Sequence, residues 1–171
     1  MKIRQISLLF FFISIFPVSY AQRGKNGSVT INTANKIVNE YTTLTADAAA
    51  GSTTIAVAAS SLNANSRFGV GNNLAAGDLI MIIQMQGATI LGAPDAGTPT
   101  ISNPNDATWG GITNYTNCGR YEYAEVSSVP NATTINIDCG LTYDYTVTGK
   151  VQIVRIPRYN KIGRASCRER V

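Results

Sequence analysis

Ala75-Ala76-Gly77-Asp78-Leu79-Ile80-Met81-Ile82-Ile83-Gln84-Met85-Gln86-Gly87 is the stretch on which the fold turns. A Gly-Asp turn feeds a run whose side chains alternate between two faces. Leu79, Met81, Ile83 and Met85 form one wholly apolar face. Ile80, Ile82, Gln84 and Gln86 form the other, apolar first and polar later. A near-continuous apolar run of this length reads as a strand covered on both sides, which places it centrally in its sheet.

Upstream, Lys36–Ala46 is rich in Val, Thr and Tyr and reads as a strand. Asp47–Ser52 is an Ala/Gly turn, and Thr53–Ala58 sets Thr53, Ile55 and Val57 on alternate positions as a second strand. Ala59–Leu74 is a loop rich in Asn, Ser and Gly, with Phe68 and Val70 expected to tuck its middle against the core. Downstream, Ala88–Gly111 is a long excursion with three prolines and the single tryptophan, Trp109. Loops of that length are commonly functional or disordered. Tyr121–Val129 and Thr133–Asp138 read as a hairpin, and Leu141–Tyr145 and Lys150–Ile156 as further strands. No helical periodicity follows residue 21. The expected fold is all-β: six to eight short, mostly antiparallel strands in a small barrel or sandwich.

The N-terminal end reads as a secretory signal peptide over residues 1–21, the single helical segment expected. Lys2 and Arg4 form its basic region, Ile6–Phe16 its apolar region, and Ser19-Tyr20-Ala21 its cleavage site. The apolar region is about half of the ~20 residues that cross a bilayer, and nothing later is long and apolar enough, so no transmembrane span is expected in the mature chain. Residues 22–35 then form an extended lead-in and 36–160 the β domain. At the other end, Ile162-Gly163-Arg164-Ala165-Ser166-Cys167-Arg168-Glu169-Arg170-Val171 resembles a short-read sequencing adapter translated in one frame. Lys161 falls under the same reading, so residues 161–171 are set aside as an artefact and the natural frame is expected to run on from about residue 160.

Charge and cysteine then read differently. The whole chain carries a formal net charge of +4, but between residues 22 and 161 nine bases balance nine acids. A neutral domain gives no electrostatic footprint for nucleic acid, which is dropped as a partner. Without Cys167, the pair Cys118 and Cys139 remains, in a compartment where disulfides persist. The two flank the hairpin, so a bond between them at its open end is expected.

The chain contains no histidine, so Ser-His-Asp and Cys-His constellations cannot be built. Glu122 with Glu125, or Asp138 with Asp144, are the remaining carboxylate pairs. No cleft is implied between either, and no catalytic residue is assigned. Asp95, Asn103, Asn105 and Asp106 could supply oxygens to calcium, a weak signal because the spacing of an EF-hand loop is lacking. No other cofactor and no metal-site residue is expected. Gly77-Asp78 reads as a turn and strand initiator rather than a ligand pair. Trp109, Tyr121, Tyr123, Tyr143 and Tyr145 could form an aromatic platform for sugar rings, against the plainer reading of ordinary strand aromatics.

Ala50-Gly51-Ser52-Thr53-Thr54-Ile55-Ala56-Val57, the Ala76–Ala88 stretch, Tyr121-Glu122 through Ser127-Ser128-Val129, Thr134-Ile135-Asn136-Ile137, Leu141-Thr142-Tyr143-Asp144-Tyr145 and Gly149-Lys150-Val151-Gln152-Ile153-Val154-Arg155-Ile156-Pro157 together resemble a family pattern. It is similar to the N-terminal β module of large Bacteroidota cell-surface proteins of the gliding-motility and adhesin-like kind, cargo of type IX secretion. The resemblance implies a non-catalytic module of a secreted or outer-surface protein, acting in adhesion or as a structural spacer, with a surface ligand or glycan as partner. The alternative is an accessory, carbohydrate-binding module of a secreted polysaccharide-degrading enzyme.

Overall fold

The computed structural model describes residues 24–90 and 111–164. The signal segment, Trp109, the four candidate calcium residues and the end of the adapter-like tail lie outside the described residues. Ten strands follow one another: β1 (Ser28–Ile31), β2 (Glu40–Thr43), β3 (Thr54–Ala56), β4 (Leu79–Gln84), β5 (Thr89–Ile90), β6 (Ile112–Asn114), β7 (Tyr121–Asn131), β8 (Thr134–Ile137), β9 (Val151–Ile156) and β10 (Lys161–Arg164). One 3-10 turn, Val147–Gly149, is the helical element among the described residues.

Six strands make one antiparallel sheet in the order β2-β9-β4-β7-β8-β3. The Gly-Asp strand β4 is third in that order, as its apolar run predicts. The sheet curls until its two edge strands meet. Leu44, just after β2, bridges Val57, just after β3, and Thr45 N–H donates to Ala56 O at 3.0 Å. Curling in this way removes free edges. Two small ribbons stand apart from the sheet, β1 with β10 in parallel and β5 with β6 antiparallel.

Alternation along each strand fills the inside. Ile55, Ile80, Ile82, Val126, Ile135, Ile137, Val151 and Ile153 point inward and join Leu44, Val57, Leu62, Leu74, Leu141 and Tyr145 in one core. On β4 the buried face is Ile80, Ile82 and Gln84, while Leu79, Met81 and Ile83 on the wholly apolar face are half-buried. The inward Gln84 is accommodated because its Nε2 donates to Gln86 O at 2.9 Å and Thr116 O at 3.1 Å. Gly149 lies directly against the Gln84 side chain, leaving no room for a Cβ.

One end of the core is polar. Arg155 is buried, with Nη2 donating to Asp78 Oδ2 at 2.8 Å, Nη1 to Asn72 O at 2.7 Å, and its guanidinium 3.9 Å from the Phe68 ring centroid. Asp78 Oδ1 pairs with Lys25 Nζ at 2.8 Å, and Asp78 Oδ2 also accepts the Ala75 N–H at 3.0 Å. Buried Glu40 accepts both the backbone and side-chain N–H groups of Asn65 at 3.0 Å. These contacts pin the loop after β3 across the end of the sheet. Phe68 is buried as expected, but Val70 is 91% exposed, because Arg155 draws in Phe68 alone.

Two further expectations are corrected. Cys118 and Cys139 are free thiols. The hairpin reading treated β7 as paired with β8 along its length, whereas its first half pairs with β4 and its second half with β8. Cys118 Sγ lies 3.4 Å from Met85 O, past the end of β4, while Asp138 N–H bonds to Glu125 O opposite Leu79, at its start. Six residues at about 3.3 Å each separate those ends by ~20 Å, beyond the roughly 7 Å between Cα atoms that a disulfide spans. Leu141–Tyr145 is no strand: it contributes the bridge between Ala48 and Tyr145 and two backbone hydrogen bonds between Leu141 and the Gly51-Ser52 turn.

Candidate ligand-binding face

The outer face of the sheet can be assembled from its registers. Tyr41 on β2 lies opposite Val154 on β9, Val154 opposite Met81 on β4, and Met81 opposite Tyr123 on β7. The row on one side of it runs Thr43, Gln152, Ile83, Tyr121, and the row on the other side Ile156, Leu79, Glu125. All of these residues alternate with the buried set, so they share one face.

That face carries exposed tyrosines on both sides of an apolar strip. Tyr41 is 63% exposed on one side, and Tyr121 and Tyr123 are 55% and 58% exposed on the other. Between them Val154 is only 7% exposed and Met81 half-buried, an apolar strip that the surrounding side chains largely cover. Three strand spacings of about 4.8 Å put ~14 Å between Tyr41 and Tyr123 at the backbone. The Tyr121 and Tyr123 rings stand edge to face, centroids 6.0 Å apart and planes at 81°. This is an arrangement that aromatic quadrupoles favour. At one end of this face Glu125 is paired with Arg158 at 3.5 Å.

Of the five aromatic residues singled out from the sequence, Tyr121 and Tyr123 come together here. Trp109 lies outside the described residues. Tyr143 does not join them. Its backbone N–H reaches Glu122, on the inward face of β7, and its ring lies under Arg120, 5.1 Å from centroid to guanidinium carbon. Tyr145 is corrected outright: at 1% exposure it belongs to the core and has no ring surface to offer. Burial raises its hydroxyl above the ordinary tyrosine value, and the Glu122 carboxylate adds to the shift.

Tyr41 was missed by sequence reading, although its signal was present. Leu44 must point inward, so Thr42 and Glu40 share its face and Tyr41 with Thr43 takes the other. Among the described residues no cluster of three or more acidic, cysteine or histidine side chains has the geometry to hold a metal ion.

No family model matches the chain, and no curated protein matches it. Among solved structures it is similar to the Gp54 tailspike of Acinetobacter baumannii bacteriophage AP22, described in complex with A. baumannii capsular saccharide. That likeness has a TM-score of 0.41 and 16% identity over 79% of this chain and 17% of the tailspike. The tailspike gp61 of Pseudomonas phage phi297 gives 0.41 and 15%, over 83% of this chain and 19% of that one. The tailspike gp49 of Pseudomonas phage LKA1 gives 0.36 and 19%, over 78% and 20%. The chain thus spans a fifth or less of the length of each. These likenesses are too distant to bear on what the chain does.

Proposed function

We propose that this chain is a non-catalytic binding module of a secreted or cell-surface protein, and that it binds a glycan on the tyrosine-bearing outer face of its sheet. The observation that carries the reading is the placement of Tyr41, Tyr121 and Tyr123, each more than half exposed, on one sheet face either side of the Val154–Met81 strip. Large exposed apolar surface gathered on one face marks an interaction site rather than ordinary surface. Tyrosine rings suit a sugar, whose ring carries an apolar C–H face for stacking and hydroxyls for the phenol groups. The Glu122 and Glu125 pair lends no support to catalysis: Glu122 is engaged by the Thr142 and Tyr143 backbone amides and Glu125 by Arg158.

A glycan array probed with the wild-type chain and with Tyr41→Ala and Tyr123→Ala tests this. Wild type is expected to bind, and each truncation to weaken binding by about tenfold, which corresponds to ~1.4 kcal/mol. Equal affinity in all three proteins, or no binding by wild type, defeats the reading.

A further inference from the structure

We infer that Asn26 is a self-modifying site, kept unreactive while the lead-in is fastened to the residues after β9. When that fastening opens, the Asn26 side chain cyclises onto the Gly27 nitrogen and loses ammonia. The isoaspartate that follows keeps the fastening open. This site is independent of the glycan reading above.

Sequence supplies the reactive pair. A backbone nitrogen attacks the preceding asparagine carboxamide most readily where glycine follows, because glycine has no Cβ to hinder the approach and turns freely. Asn26-Gly27 is the one Asn-Gly pair in the chain. Gly27 closes a tight turn from Gly24, at φ +67°, with open space where a Cβ would stand. The reaction balances with water alone. The Gly27 nitrogen gives up its proton to solvent and bonds to Asn26 Cγ. The Cγ–Nδ2 bond breaks, and Nδ2 takes a proton from solvent and leaves as ammonia. Water then opens the resulting succinimide at either carbonyl, giving aspartate or isoaspartate.

Structure holds the pair still. Asn26 N–H donates to Arg158 O at 3.1 Å and Asn26 Oδ1 accepts the Arg158 N–H at 2.7 Å, which ties the carboxamide to Arg158. The attacking nitrogen is engaged too, its N–H donating to Gly24 O at 2.8 Å. Asn160 N–H donates to Gly27 O at 3.0 Å and fixes the far side of the pair. Lys25 anchors the turn, with Nζ 2.8 Å from Asp78 Oδ1 and 2.7 Å from Ala76 O. Residues 24–27 and Arg158 are half-buried and Asn160 is exposed, so this segment opens locally far more often than the sheet unfolds. Isoaspartate routes the main chain through the side-chain carboxyl and adds a methylene between residues 26 and 27. The bonds to Arg158 and Asn160 then fall out of register and cannot both re-form. Aspartate leaves the main chain unchanged and keeps an oxygen for the Arg158 N–H, so that product refastens.

Peptide mapping by mass spectrometry after incubation in mildly alkaline buffer, with chromatographic separation of the aspartyl and isoaspartyl products, tests this on the whole chain. Folded wild type is expected to convert Asn26 more than about tenfold more slowly than the same chain unfolded in urea, since the reaction follows the open population. Lys25→Ala should convert about fivefold faster than folded wild type, the population shift that loss of one partly exposed contact brings. Amide exchange at Ile82, Ile135 and Ile153 should stay unchanged in that variant, which establishes that the lead-in alone has opened. In the purified isoaspartyl product, exchange at Arg158 and Asn160 should be faster than in the aspartyl product. Equal conversion in folded and unfolded wild type overturns the inference, as does a Lys25→Ala rate no different from that of wild type. Isoaspartyl protein whose Arg158 and Asn160 amides exchange as in unmodified wild type overturns the lasting effect.

Discussion

Tyr145 is the largest fully buried side chain among the described residues, and its hydroxyl has no hydrogen-bond partner. Glu122 faces it, but that carboxylate accepts the Thr142 N–H at 2.9 Å and the Tyr143 N–H at 3.4 Å. An unpartnered buried hydroxyl contributes nothing to hold the fold, so Tyr145→Phe is expected to leave stability at neutral pH unchanged or raise it by up to about 1 kcal/mol. The pH dependence has a definite sign. Burial raises the folded-state value above the ordinary one. The associated stability is therefore intact below about pH 10, where unfolded tyrosine is neutral, and falls as pH climbs towards the folded value. Urea denaturation at neutral pH and at about pH 11 checks both parts. The phenylalanine variant should lose less stability than wild type at the alkaline end. A loss above about 2 kcal/mol at neutral pH would show that the hydroxyl has a partner after all.

At the scale of elements, β4 shows how far sequence can be read. Its existence and central place follow from the apolar run. Which face turns inward does not, since Leu79, Met81 and Ile83 are as apolar as Ile80 and Ile82. The choice is made by long-range partners: Arg155 and Asp78 at one end, and Thr116 and Gly149 around Gln84 at the other. The same limit hid half of the candidate site. Tyr121 and Tyr123 could be placed on one face of β7 from alternation, but the strand that brings Tyr41 to the same face is β9, from the far end of the chain. The Asp78–Arg155 pair should behave as a buried ion pair. Burial pushes the guanidinium below its ordinary value, while Asp78 and then Glu40 hold it up. Asp78→Ala strands that charge and is expected to cost about 3–5 kcal/mol. Asp78→Ala with Arg155→Met removes both charges and should recover a substantial part of the loss. Chemical denaturation of the two variants decides it, and a double variant no better than the single would show that the contacts to Asn72, Leu62 and Phe68 matter more than the charge.

Over the whole molecule, two distant segments fasten each other. Asn26 N–H donates to Arg158 O at 3.1 Å, and Asn26 Oδ1 accepts the Arg158 N–H at 2.7 Å. Asn160 N–H donates to Gly27 O at 3.0 Å, and Ser28 Oγ to Asn160 Oδ1 at 2.8 Å. Both segments then grip the same turn. Lys25 Nζ donates to Ala76 O at 2.7 Å, and Arg158 Nη2 donates to Gly77 O. The turn they hold is the Gly-Asp start of β4, where Gly77 adopts φ +80° and its N–H bonds to Val126 O at 2.8 Å. The lead-in is therefore an outer brace on the central strand, separate from the six-stranded sheet. Losing it should loosen one end of the molecule without unfolding the core. Lys25→Ala with Asn26→Ala removes two clamps that are partly exposed, so the expected loss is about 1–2 kcal/mol. Amide exchange should rise at Arg158, Asn160 and Gly77 and stay unchanged at Ile82, Ile135 and Ile153, because local opening draws on the least buried contacts first. Faster exchange at those three core amides as well would mean that the brace and the sheet unfold as one unit.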